Sequence, residues 1–154
     1  MKILHINSYY SASKFYKNLY DKQIEGGLDI GVYVPISRSM ESSKLDLGKY
    51  TIVSKNYNKY DRVIFRLKHW KIYKDIEKSQ DFKDISIIHA HSLFSNGYIA
   101  YKLYKKYNIP YIVAVRNTDV NVFFRKMIHL RPLGIDILKN AKKKTFREMK
   151  KPKT

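Results

Sequence analysis

Three short polar clusters carry the residue types that could do chemistry. Asn7, Ser8 and Tyr9 follow one apolar stretch, His89, Ala90, His91 and Ser92 a second, and Arg116, Asn117, Thr118 and Asp119 a third. The two imidazoles of the His-x-His pair titrate near neutrality and offer a general base or a pair of metal ligands. Side chains alternate along a strand, so His89 and His91 share a face wherever extended backbone reaches both. Arg116 is a fixed cation that can hold phosphate or carboxylate bidentately, but it cannot act as a base at neutral pH. A duller reading stands beside each of these. Thr118 or Asp119 could cap a helix that starts there, and either histidine could be a satisfied buried residue. Zinc would need third and fourth ligands, and His5, His69 and His129 stand on other segments, so no metal is expected.

Other chemistries lack their residues. There are no cysteines, which removes a disulfide scaffold, a thiolate nucleophile and any Cys-based metal site. No Gly-x-Gly-x-x-Gly or P-loop pattern follows the first apolar stretch, and no Gly-x-Ser-x-Gly elbow occurs. A carboxylate pair suited to glycoside hydrolysis is not evident.

The elements that must position the clusters alternate strand and helix. Residues 2–7 are short, apolar and bounded by polar turn residues, as a buried parallel strand should be. Residues 14–25 carry Phe15, Leu19 and Ile24 at near-helical spacing, stopped by Gly26 and Gly27. Residues 29–35 read as a second strand, ended by Pro35, and residues 50–54 as a weak third. A helix is expected over 61–78, with Val63, Ile64, Leu67, Trp70, Tyr73 and Ile76 at a 3.6-residue period. Residues 84–91 form the next strand, 93–107 a helix, and 108–110 a breaker before the strand-like run 111–115. Residues 119–130 and 134–142 read as helical, separated at Arg131 and Pro132. This alternation implies an α/β, Rossmann-like domain whose mostly parallel sheet is flanked by helices. In such sheets ligands bind beyond the carboxyl ends of the strands, where all three polar clusters fall.

The chain has 154 residues, 44% of them hydrophobic and 14% aromatic, enough for one domain with a real core. No apolar run is long enough to span a bilayer, and the first ten residues do not read as a signal peptide, so a cytoplasmic protein is expected. The formal charge is +18, with eight basic residues against one acid over residues 139–154. Lys, Asn, Ile and Tyr are abundant together, the residue set of A/T-rich coding sequence, so most of this charge reads as solvated surface. Nucleic acid is the weaker partner expectation, and salt sensitivity would test it. An anionic membrane surface fits the clustered cations at least as well.

The order of these elements resembles the amino-terminal domain of family 4 glycosyltransferases, in which two Rossmann-like domains face each other across a cleft (the GT-B arrangement). The resemblance rests on residues 1–6 as first strand, on Ile87-Ile88-His89-Ala90-His91-Ser92, and on the run from Asn108 through Pro110-Tyr111-Ile112-Val113 to Thr118-Asp119. It covers residues 1–142, with residues 143–154 left as a basic, disordered tail. It implies hexose transfer from a nucleotide-sugar to a glycan or lipid-linked acceptor in surface polysaccharide synthesis. No cofactor or metal is implied, and this half binds acceptor. By the same resemblance His89 or His91, with Asp119, would position and deprotonate the acceptor hydroxyl. Asn7, Ser8, Tyr9 and Ser92 would line the cleft, while Arg116, Asn117 and Thr118 orient acceptor or phosphate.

Departures from the family pattern matter. The loop after the first strand lacks the family's Gly-Gly pair, and Arg116-Asn117 replaces the usual histidine before Thr118-Asp119. The family's donor-gripping second domain has no counterpart in these residues. The loss of periodicity after Lys142 suggests a truncated or frameshifted reading frame, catalytically incomplete alone. A non-catalytic subunit that presents acceptor or membrane to a separate donor-binding chain is the alternative.

Overall fold

Six parallel strands in the order β3-β2-β1-β4-β5-β6 make the sheet of the computed structural model, which describes residues 1–10, 13–41 and 47–146. In chain order these are β1 (Lys2–Ile6), α1 (Lys14–Glu25), β2 (Asp29–Ser37), β3 (Thr51–Tyr57), α2 (Phe65–Ser79), β4 (Ile85–Ala90), α3 (Ser95–Tyr107), β5 (Tyr111–Val115), α4 (Arg131–Asn140) and β6 (Lys143–Phe146). The expected α/β Rossmann-like architecture is therefore the one observed. Between β1 and β4 the winding direction reverses, which opens a crevice at their carboxyl ends.

Alternation along the strands sorts the core. Leu4, Ile6, Tyr33, Ile88, Ala90 and Val113 pack with α2, α3 and α4 on one face. Ile30, Val32, Val34 and Ile36 pack with Tyr16 and Tyr20 of α1 on the other. Beyond α1 that second face is less covered, and Ile87, His89, Ile112, Ala114 and Arg116 remain half-buried there. This half-buried strip lies beside the crevice.

Several local expectations change. In α1 the buried face is Tyr16 and Tyr20, whereas Phe15 and Ile24 are exposed. Pro35 does not end β2, which runs on to Ser37. Residue 33 bonds towards β1, accepting from the Asn7 N–H, so Pro35 points to the same side past the last residue of β1, and no ladder bond is lost.

The helix expected over 61–78 begins instead as a 3-10 turn, Lys59–Val63, before α2. Its core face is His69, Ile72, Tyr73 and Ile76, while Val63, Ile64, Leu67 and Trp70 are exposed. Residues 119–130 form not one helix but a wide π-type stretch, Asp119–Phe124, and a 3-10 turn, Ile128–Leu130.

The basic segment is corrected at its start: Lys143–Phe146 pairs in parallel with β5, and residues 147–154 lie outside the described residues. All four side chains of β6 are exposed, so no apolar pattern marks it. The open edge of β5 supplies the order, beginning with Lys142 N–H to Tyr111 C=O at 2.9 Å.

Asn108 ends α3 in the left-handed conformation (φ 56°), a geometry that asparagine tolerates better than most residues. At Gly134 in α4 a β-carbon would come within 2.6 Å of the buried Phe94 ring, so the closeness of α4 to that ring requires glycine.

Candidate functional site

The register of β1 against β4 builds the centre of the site. After an irregularity at Lys2 and Ile3, His5 pairs with His89, so three imidazoles converge rather than two. The rings of His89 and His91 stack at 4.2 Å between centroids, and each lies 5.2 Å from that of His5. His91 Nε2 is 3.0 Å from His5 Nδ1 and 3.0 Å from Tyr20 Oη. In the sequence His5 stands on a separate element, and Tyr20 belongs to none of the three polar clusters. Aligning the penultimate residues of the two strands would have suggested His5; nothing local marks Tyr20 beyond its spacing from Tyr16.

Burial sets the protonation of this cluster. It holds His5 down to about 3, helped by neighbouring His89 and opposed by Gln23. It pushes His91 well below its ordinary value, with His89, His5 and Arg116 adding to the effect, and it lowers His89 too. All three imidazoles are therefore neutral at pH 7. His89 is half-buried, whereas His5 and His91 are almost fully enclosed. Only His89 of the three is open enough to meet a ligand without rearrangement.

The first polar cluster is largely occupied with its own loop. Asn7 is fully buried, donating through Nδ2 to Tyr20 Oη and accepting the Tyr9 N–H at Oδ1. The Ser8 N–H reaches Asn96 Oδ1 at 3.2 Å. Ser92 is also buried, and its hydroxyl accepts the Asn96 N–H, satisfying one amide of the first turn of α3. Tyr9 is different: half-buried, it lies 4.0 Å beneath the guanidinium of Arg116.

The third cluster divides into an anchor and a hand. Asp119 is 1% exposed, and its carboxylate accepts three backbone N–H groups, from Leu93 (2.9 Å), Phe94 (3.1 Å) and Arg116 (2.9 Å). Burial raises its pKa, while these three bonds and Arg116 pull the other way. It caps no helix of its own; it ties the β4–α3 turn to the end of β5. With both oxygens engaged, Asp119 acts on a ligand through the backbone it holds. Arg116 donates from Nη1 to Tyr16 Oη at 2.7 Å and is otherwise half-exposed. Asn117 and Thr118 are exposed, and Asn121 donates to Asn117 Oδ1. The site thus combines a neutral, half-open imidazole with an aromatic-backed guanidinium, at the carboxyl ends of β4 and β5. Such a pair can accept a proton from a hydroxyl and hold an anion.

Fold and site together define a Rossmann-like α/β domain with its polar cluster in the crevice where the strand order reverses. No protein-family model matches the sequence, and no curated protein matches it. Among solved structures, that of Phytolacca americana UGT2 complexed with UDP-2fluoro-glucose and pterostilbene is similar at a TM-score of 0.47 and 12% identity. The match covers 86% of this chain and 33% of that one, so the chain spans about a third of that protein's length.

Proposed function

We propose that this chain is the acceptor-side half of a two-domain glycosyltransferase of the family 4 type. In this reading a hexose passes from a nucleotide-sugar to a glycan or lipid-linked acceptor of surface polysaccharide, and a second domain or chain grips the donor. The observation that carries the reading is that a half-open His89 and an Arg116 stacked on Tyr9 stand at the carboxyl ends of β4 and β5, beside the point where the strand order reverses. The strand-end motifs that resemble the family are the residues found at this mouth.

The residues then divide the work. His89, neutral and half-open, accepts the proton of the acceptor hydroxyl. His91 and His5 back it from inside. Arg116 holds an acceptor phosphate with the guanidinium donors that Tyr16 does not use, while Tyr9 fixes the guanidinium plane. Asp119 keeps the Arg116 backbone in place. The nucleotide-sugar is the donor substrate, and the transfer uses no cofactor.

The test is calorimetry with a short-chain polyprenyl phosphate. The wild-type chain should bind it, and Arg116→Ala should weaken binding about tenfold or more, the worth of one charge-assisted contact. Equal affinity in the two proteins would overturn the assignment of Arg116. No binding by the wild type would overturn the acceptor reading.

A second surface fits a lipid-linked acceptor and a cytoplasmic protein that works at the inner face of the membrane. No described helix is long and apolar enough to cross a membrane. Around the Lys59–Val63 turn and the first half of α2, however, Tyr60, Val63, Ile64, Leu67 and Trp70 are exposed, with Val63 at 87%. Exposed Lys59, Arg62 and Arg66 are interleaved with them. Aromatic and aliphatic side chains bordered by cations suit an anionic bilayer surface. The protein should co-sediment with phosphatidylglycerol vesicles and not with phosphatidylcholine vesicles. The double variant Val63→Glu/Ile64→Glu should stay in the supernatant; sedimentation equal to wild type would remove this surface from the account.

A further inference from the structure

We propose that His5, His89 and His91 form a binding site for a divalent transition metal ion such as zinc. One ring nitrogen of each lies within 4.8 Å of the others, and His5 Nδ1 and His91 Nε2 are 3.0 Å apart. With zinc–imidazole bonds of about 2.0–2.1 Å, two nitrogens at that spacing share an ion at an angle of roughly 94°, and opening them by about 0.3 Å gives the tetrahedral angle. Side-chain rotation of His89, the least enclosed of the three, brings in the third nitrogen.

Protons alone leave this cluster poorly satisfied. His91 Nε2 faces both His5 Nδ1 and Tyr20 Oη, yet a neutral imidazole nitrogen has either one proton or one lone pair to offer. His5 Nε2 is buried with no hydrogen bond of ordinary geometry, and so is Gln23 Oε1. Gln23 nevertheless sits close enough to His5 to favour its protonated form. Metal binding resolves these features together. His5 ligates through Nδ1, keeps its proton on Nε2, and turns that N–H towards Gln23 Oε1. An acceptor behind a ligating histidine is the usual way of fixing its tautomer and ring plane.

The chemistry of the donors selects the ion. Three neutral imidazoles suit zinc, nickel, copper or cobalt rather than magnesium or calcium, which prefer oxygen. Burial already keeps the rings in the neutral, ligating form. Tyr20 Oη, 3.0 Å from His91 Nε2, or a water entering past His89 can complete the shell. Arg116 acts on His91 against a cation, and the ion's bonds to the three imidazoles oppose that cost. The site stands independently of the sugar-transfer reading; when filled, it withholds the His89 lone pair from an acceptor hydroxyl.

The experiment is titration of the chelator-treated full chain with zinc by calorimetry, paired with cobalt(II) and its visible absorption. Expected is saturable binding of one ion per chain, unaffected by excess magnesium, with the absorption bands of nitrogen-ligated cobalt. His89→Ala, chosen because that side chain is half-open, should keep the wild-type far-UV circular dichroism and abolish the cobalt bands. Gln23→Leu should weaken zinc binding about 10–100-fold, the usual effect of removing an acceptor behind a ligand. No saturable binding by the wild type, or cobalt bands unchanged in His89→Ala, would overturn the proposal.

Discussion

Between pH 7 and pH 5 the protein should lose about 4 kcal/mol or more of folding stability, a large share of the roughly 5–15 kcal/mol that domains possess. Four histidines cause this. His5 is held down to about 3 and His69 to about 4 by burial, and burial also lowers His89 and His91. An unfolded histidine titrates near 6.5, so below that pH the unfolded chain binds protons that the folded chain refuses. The stabilisation is therefore complete above pH 6.5 and disappears as pH falls towards the folded values.

Over this range His5 and His69 contribute about 2 kcal/mol each, and His89 and His91 add to the loss in the same direction. The carboxylate of Glu77, held down to about 2 chiefly by Lys106, adds its own loss only below the ordinary carboxylate range. Urea midpoints measured at half-unit pH steps read the effect directly. His69→Gln, remote from the crevice, should flatten the slope by about one proton. A midpoint that does not move between pH 7 and pH 5 would mean that the folded state accommodates charged imidazoles.

Asp119→Ala should cost about 3–5 kcal/mol at pH 7. The substitution strips two buried and one partly buried backbone N–H groups of their acceptor at once, and hydrogen bonds to a charged group are worth roughly 1.5–3 kcal/mol each before losses are shared. Because the carboxylate itself resists burial, as its raised pKa shows, the net figure falls below the sum. Asp119→Asn should cost less, since its carbonyl can still accept while its amide meets an N–H. Urea denaturation of both variants decides the matter. A loss below about 1 kcal/mol in the alanine variant would contradict the anchoring role. The same measurement bears on function, because the Arg116 backbone is one of the three groups released.

What was legible in the sequence follows from short-range physics. Runs such as 2–6, 85–90 and 111–115 are apolar and bounded by breakers, so their extended backbone and burial could be read directly. The end of α1 is equally readable, because Gly26 and Gly27 punctuate it. Alternation of strands and helices then implies a parallel sheet, and strand ends carrying polar residues mark where ligands go. That much placed His89, His91 and Arg116 at the crevice. Which face of a helix is buried was less readable in a tyrosine-rich chain. In α1 and α2 the core took Tyr16, Tyr20 and His69, amphipathic side chains that a simple apolar count passes over, and left Phe15 and Trp70 outside.

Tertiary structure alone decided the rest. Register between β1 and β4 depends on an irregularity at Lys2 and Ile3, and only that register sets His5 against His89 and closes a cluster of three. By sequence Asp119 reads as a helix cap or as a partner of the histidines in deprotonating an acceptor, but the turn it serves lies about 25 residues earlier in the chain and reaches it only when β4 and β5 are neighbours. β6 carries no apolar signal of its own; it is ordered by the backbone edge that β5 offers. Local sequence fixes which backbone each segment prefers, through sterics and solvent. Which side chains meet depends on pairings between distant segments, and no local preference encodes those.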